Sequence, residues 1–251
     1  MSTSPVILIT GASRGLGAAI VSYLLEKSSA KLMLVSRNAE ALQTIKSANP
    51  NRVDYLAIDV AAADAPANIL ENIISSFGRL DSVILNHGVL EPVAKIADTD
   101  IDAWRDGFNI NFFAVVALVK EVIPELKKTH GRVLFVSSGA AVTPYLAWGA
   151  YGASKAAMNH LCSTLAAEEP DLTAISIRPG VIDTQMQVDI RTKHKNAMEE
   201  GNERFQALHR EGKLLRPDQP GNVIARLALD MKKELSGQFL SWNTEQLKEY
   251  Q

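Results

Sequence analysis

Tyr151 and Lys155 stand four residues apart in the stretch YGASK, and Ser138 lies thirteen residues before the tyrosine, in FVSSG. On one helix, residues four apart share a face. A lysine cation beside a phenol favours the phenolate and is expected to lower the tyrosine pKa. A phenol tuned in this way exchanges a proton with a carbonyl or alcohol oxygen near neutral pH. A serine hydroxyl at the end of a strand would hydrogen-bond the same oxygen. The pair alone occurs often by chance; the serine gives it weight.

A second group of residues opens the chain. LITGASRGLG at 8–17 is an apolar run followed by three glycines. Gly11, Gly15 and Gly17, with Ser13, Arg14 and Leu16 between them, read as a loop that brings backbone close to a phosphate. The helix that follows would supply free N–H groups and a positive dipole end. The spacing is G-x-x-x-G-x-G rather than the general dinucleotide fingerprint G-x-G-x-x-G. The second apolar run ends in Ser36, Arg37 and Asn38. Sites for NAD carry an acid near this point to hold the ribose 2′-hydroxyl. Here Arg37 and Arg14 could instead pair with a 2′-phosphate, so the expected cofactor is NADP(H).

Both groups need a scaffold, and the hydropathy pattern supplies one. Short apolar runs at 6–10, 31–36, 52–58, 81–86, 131–137, 173–179 and 237–242 alternate with helical patterns at 15–28, 38–48, 64–77, 99–110, 111–127, 149–168 and 218–233. Most of the runs are apolar throughout, as suits strands buried on both faces of a parallel sheet. The expectation is an α/β chain: one Rossmann-type domain over 1–251, a doubly wound parallel sheet of about seven strands with helices on both faces. Residues 185–216 break the rhythm with a polar, charged segment after the sixth strand. In open α/β sheets such insertions tend to cover the ligand crevice. The segment reads either as a substrate lid or as a pair of solvated surface helices.

Composition narrows the function classes. The 251 residues carry a net charge of −2 and one cysteine. Nothing suggests the basic footprint of a nucleic-acid binder, an intrachain disulfide or a cysteine-rich metal centre. Cys162 reads as a small core residue. The N-terminus lacks a basic region and a long apolar run, and no stretch stands out as the roughly 20 apolar residues of a membrane span. A cytoplasmic protein acting on a small molecule is expected, with no nucleic-acid or membrane partner and no metal.

Taken together, these motifs resemble the short-chain dehydrogenase/reductase family from about residue 5 to 184. The family's T-G-x-x-x-G-x-G matches Thr10 to Gly17, its Asp-Val after the third strand matches Asp59–Val60, and its Asn…Gly signature after the fourth matches Asn86 and Gly88. His87 departs from that signature, standing where alanine is usual; it reads as shaping the pocket, not as catalytic. The helix asparagine matches Asn111, and P-G-x-x-x-T matches Pro179, Gly180 and Thr184. The resemblance implies that Tyr151 is the general acid in reduction and that Lys155 tunes it and holds the nicotinamide ribose. Ser138 would polarise the carbonyl, and Asn111 would hold a water linking Lys155 to solvent. Thr184 and the Ile182 backbone would hold the carboxamide.

LEPVAKI, INFF and PGVIDTQMQ are similar to a narrower group, the benzil reductases of fungi and bacteria, which use NADPH and are related to sepiapterin reductases. Tyr145, Trp148 and Met186 would then wall an aryl-ketone site, or else serve as packing. The family implies a homodimer or homotetramer through the helices at 111–127 and 149–168. Alcohol oxidation and a non-catalytic NADP-binding sensor are the alternatives. His130, His160, His194 and His209 read as surface or structural residues.

Overall fold

The computed structural model describes residues 4–251. Seven parallel strands form one sheet in the order β3-β2-β1-β4-β5-β6-β7. They are β1 (Val6–Thr10), β2 (Lys31–Ser36), β3 (Val53–Ala57), β4 (Ser82–Leu85), β5 (Arg132–Val136), β6 (Thr173–Arg178) and β7 (Phe239–Ser241). β1 and β4 are buried along their whole length. Alternate residues feed opposite layers, because successive strand side chains point to opposite faces. Ile7, Ile9, Leu32 and Leu34 pack into the layer that holds α1 (Gly15–Lys27), α2 (Ala39–Ala48) and a late helix over Asp218–Leu229. Val6, Leu8, Met33 and Val35 pack into the layer that holds α3 (Ala65–Phe77), a helix over Ala114–Lys127 and a helix over Gly149–Glu168. Helices therefore cover both faces, as the sequence predicts.

The order reverses between β1 and β4, where the chain has crossed from one half of the sheet to the other. A crevice opens there outside the carboxyl ends of the strands, the usual ligand position in such sheets. Local signals place the elements around it. The Asn38 side chain accepts from Ala41 N (3.1 Å) and starts α2. Gly78, at φ +73°, ends α3 in the left-handed region. Asp100 starts α4 (Ile101–Phe108) by accepting from Asp102 N.

The two helices predicted at 99–110 and 111–127 form one continuous run from Ile101 to Lys127, joined by a π-turn over Asn109–Phe113. Its later part is α5 (Ala114–Lys127). This run is long and apolar enough, by length and composition, to cross a bilayer, a feature the sequence reading did not single out. Val115, Leu118, Val119, Val122 and Leu126 bury it in the second layer with α3 and α6 (Gly149–Glu168).

The segment 185–216 forms α7 (Gln185–Arg191), α8 (Lys195–Met198), a 3-10 turn and α9 (Glu203–Arg210), ahead of α10 (Asp218–Leu229). It is not a pair of solvated helices. Ile190, Met198 and Phe205 join Leu90, Trp148 and Tyr151 in a third apolar cluster.

Candidate active site

The glycine loop, the ends of β2 to β6 and the 185–216 segment enclose a cleft of about 840 Å³. Close backbone packing builds its cofactor-side wall. Gly11 is at φ +65°, and a Cβ there would stand 2.9 Å from Asn86 Nδ2. Gly17 faces the interior rather than the cleft: a Cβ would stand 2.1 Å from the Gly11 carbonyl oxygen. Gly17→Ala should therefore displace the loop, at about 1–3 kcal/mol for overpacking. A lower melting temperature together with weaker nicotinamide-cofactor binding would show it.

Thr10 is the node of this wall. Its hydroxyl accepts from Asn86 N (3.0 Å) and His87 N (3.3 Å) and meets His87 Nδ1 at 2.7 Å. The same hydroxyl lies 3.3 Å from the Ile84 carbonyl oxygen, so its single hydrogen is not committed to the imidazole, and the ring's other nitrogen is Nε2. That nitrogen forms no hydrogen bond among the described residues; the Ile110 carbonyl lies near the ring, outside bonding geometry. Burial, reinforced by the Lys155 charge and opposed by the Ile110 carbonyl and Asp59, holds the His87 pKa at about 4.

The sign of the linkage follows. Between pH 6.5 and 4 the unfolded chain binds the proton that folded His87 refuses, so stability falls as pH falls through that window. The loss approaches about 3 kcal/mol below it. His87→Ala should flatten this part of a stability–pH curve measured by denaturant unfolding.

Several predicted cofactor residues line the cleft with side chains already engaged. Asn86 Nδ2 donates to the carbonyls of Thr10 (3.2 Å) and Gly11 (3.0 Å). Asn38 caps α2, and Asp59 Oδ1 accepts from Ala61 N (3.0 Å). Arg14 and Arg37 are exposed and line the same end of the cleft with Ser13, Leu16, Ser36 and Val60. Pro179, Gly180, Ile182 and Thr184 line it from the end of β6. The Thr184 methyl would stand 3.1 Å from a Cβ at Gly15, so the glycine loop and the loop after β6 touch.

On the substrate side, Tyr151 and Lys155 project from the first turns of α6 and are both buried. Ser138, just past β5, lies beside the phenol and favours its ionised form, and it accepts from Ala140 N (3.1 Å). Lys155 Nζ donates to the Val136 carbonyl (2.9 Å) and lies 5.8 Å from the Tyr151 ring centroid. The expected depression of the phenol pKa is corrected here. Burial raises the Tyr151 pKa, and the neighbouring Ser138 hydroxyl only partly opposes it. The ammonium sits over the ring and bonds to a backbone carbonyl, while its own burial lowers it to about 8.

Asn111 is buried at the π-turn. Its side chain accepts from Val89 N and donates to Val89 O, each at 2.8 Å. The amide is thus occupied, and the widened turn sets where the asparagine sits, as π-turns often do at functional sites. A Cβ at Gly88 would stand 3.2 Å from Asn111 Oδ1 and 3.5 Å from Lys155 Nζ, so Gly88 packs close to both side chains.

Tyr145 and Trp148 line the cleft with Met186. Trp148 stacks on Phe205 (5.2 Å, 22°) and meets Tyr151 edge-on (5.7 Å). Phe205, Ile190 and Arg178 also line the cleft, and sequence reasoning missed all three. The Met186–Ile190 and Phe205–Leu208 spacings were the only available signal. Ion pairs join the 185–216 segment to the stretch after β4: Glu91 binds Lys193 (2.8 Å) and His194 (3.2 Å), and Lys95 binds Glu199 (2.6 Å).

A model of the short chain dehydrogenase family matches residues 5–195. The chain belongs to that family. This short-chain dehydrogenase is 46% identical over 242 residues to an oxidoreductase of Schizosaccharomyces pombe, covering 95% of this chain and 96% of the relative. It is 39% identical over 255 residues to a benzil reductase ((S)-benzoin forming) of Saccharomyces cerevisiae, covering 96% and 97%. A crystal structure of a short-chain dehydrogenase/reductase from Saccharomyces cerevisiae superposes with a TM-score of 0.96 at 38% identity, covering 98% and 99% of the two chains. The dehydrogenase is accordingly a nicotinamide-dependent oxidoreductase acting on small molecules.

Proposed function

We propose that this oxidoreductase is an NADPH-dependent carbonyl reductase of activated ketones, with a 1,2-diketone such as benzil, reduced to (S)-benzoin, as its model substrate. One observation carries the reading. A buried Tyr151, with Ser138 beside its phenol and Lys155 against its ring, opens onto the same cleft that Arg14 and Arg37 line. The glycine loop, in which a side chain at Gly11 would collide with neighbours, fits a pyrophosphate. The two arginines fit a 2′-phosphate.

When bound, NADPH supplies the hydride to the carbonyl carbon. Ser138 orients the carbonyl oxygen, and Tyr151 gives that oxygen its proton. The raised phenol pKa keeps this proton in place until the oxygen develops charge. Lys155, near pKa 8, returns a proton to the phenolate and holds the ribose hydroxyls. The Asn111 turn supports a water-borne path to solvent. Residues 185–216 close over the ketone as a lid, and Tyr145, Trp148 and Met186 form its apolar wall. The chain works in the cytoplasm as a homodimer or homotetramer joined through α5 and α6.

The test is NADPH oxidation, followed by loss of absorbance, with benzil, smaller diketones and sepiapterin beside an NADH control. Turnover of a diketone with NADPH supports the reading. Cofactor binding without turnover of any ketone overturns it in favour of a sensor. A preference for sepiapterin, or for alcohol oxidation with NADP, reassigns the substrate or the direction.

A further inference from the structure

Among the partly buried arginines, Arg178 is an exception. Arg52 gives its guanidinium hydrogens to the carbonyls of Leu24, Leu25, Ser28 and Ala30. Arg226 bonds the Tyr23 hydroxyl, and Arg132 faces Asp230. Arg178, the last residue of β6, lines the catalytic cleft, and its guanidinium has no hydrogen-bond or ion-pair partner among the described residues. Its nitrogens are not among the fully buried unpartnered atoms, so the fork opens onto the cleft with its donors free for an acceptor there.

The surroundings make room for this group. A Cβ at Gly139 would stand 2.9 Å from Arg178 Nε, 3.0 Å from Cζ and 3.1 Å from Nη2. Only glycine, in the position directly after Ser138, lets the guanidinium lie against the backbone there. The carboxylates that line the cleft are elsewhere. Asp59 serves the turn after β3, and Asp183 is exposed; neither comes within ion-pair distance of Arg178. The pyrophosphate loop belongs to the β1 end of the cleft, so the cofactor's phosphates do not account for this charge.

We infer that Arg178 is the anion anchor of the substrate site and that the physiological ketone carries a carboxylate within a few bonds of the carbonyl held by Ser138 and Tyr151. One planar fork lying against the Gly139 backbone matches a single carboxylate; a phosphate dianion would call for a second cation. The apolar remainder of the substrate lies against Trp148 and Phe205. This inference deepens the reductase reading and rests on it for turnover, but not for binding.

Two measurements separate the two claims. The first compares phenylglyoxylate with its neutral methyl ester as substrates for the wild type and for Arg178→Gln. Loss of a charge-assisted pair should lower the acid-to-ester ratio of kcat/KM roughly ten- to hundredfold, and Arg178→Lys should recover part of it. The second is calorimetric binding of benzoate against benzamide to the protein saturated with NADP. Benzoate should bind the wild type at least about tenfold more tightly, and Arg178→Gln should erase the difference. Equal binding of benzoate and benzamide by the wild type, or an acid-to-ester ratio unmoved by Arg178→Gln, overturns the anchor. Selective benzoate binding without turnover of either ketone upholds the anchor and removes the reductase reading.

Discussion

Tyr151→Phe is expected to lower kcat for ketone reduction about 10²–10⁴-fold, the range for removing a positioned general acid, while leaving NADPH affinity within a few fold. The phenol is buried beside Ser138, and phenylalanine keeps the ring that meets Trp148 edge-on. The variant therefore removes one hydroxyl without opening a cavity. Single-turnover kinetics alongside fluorescence titration of NADPH would separate the two quantities. A variant that keeps wild-type turnover would move the proton donor elsewhere.

Arg37→Asp should invert the cofactor choice. The wild type is expected to favour NADPH over NADH, because a guanidinium pair with a phosphate contributes about 1.5–3 kcal/mol. Aspartate removes that pair, repels the 2′-phosphate and offers the ribose hydroxyl of NADH an acceptor. The ratio of kcat/KM for NADPH to that for NADH should fall at least about a hundredfold. Arg37 is exposed at the cleft's end, so folding should be little affected. A ratio that stays put would assign the phosphate to Arg14 alone or dismiss the arginine argument.

The legible parts of this molecule were those written in short-range pattern. Val6–Thr10 and Ser82–Leu85 are buried along their length and apolar but for Thr10 and Ser82, so the parallel sheet was visible as runs. The glycine loop and YGASK stood out because residue type and spacing are themselves the signal. Asn38, Asp59 and Asn86 were harder. Each lines the cleft, yet each spends side-chain bonds on local backbone. A polar residue at a strand end serves either purpose, and sequence does not separate them.

The π-turn at Asn109–Phe113 has no propensity signature; it arises where tertiary packing inserts a residue into a helix. The packing of 185–216 eluded periodicity because its apolar residues are divided among helices too short to show a stripe. The Tyr151 pKa was misjudged because proximity in sequence says nothing about burial or about which carbonyl Lys155 would find. Arg178 was passed over because only the fold reveals that a charge has no partner.

The division of labour along the chain has a practical meaning. The loops expected to grip the cofactor follow β1 to β4, within the first ninety residues, and return only briefly after β6. The aromatic wall and the segment over the mouth come from 145–148 and 186–205. Substrate scope and cofactor demand are therefore separable traits in evolution and in the laboratory. A library confined to the second region explores new ketones on a constant redox supply, and one confined to Arg14 and Arg37 changes the supply without disturbing the ketone.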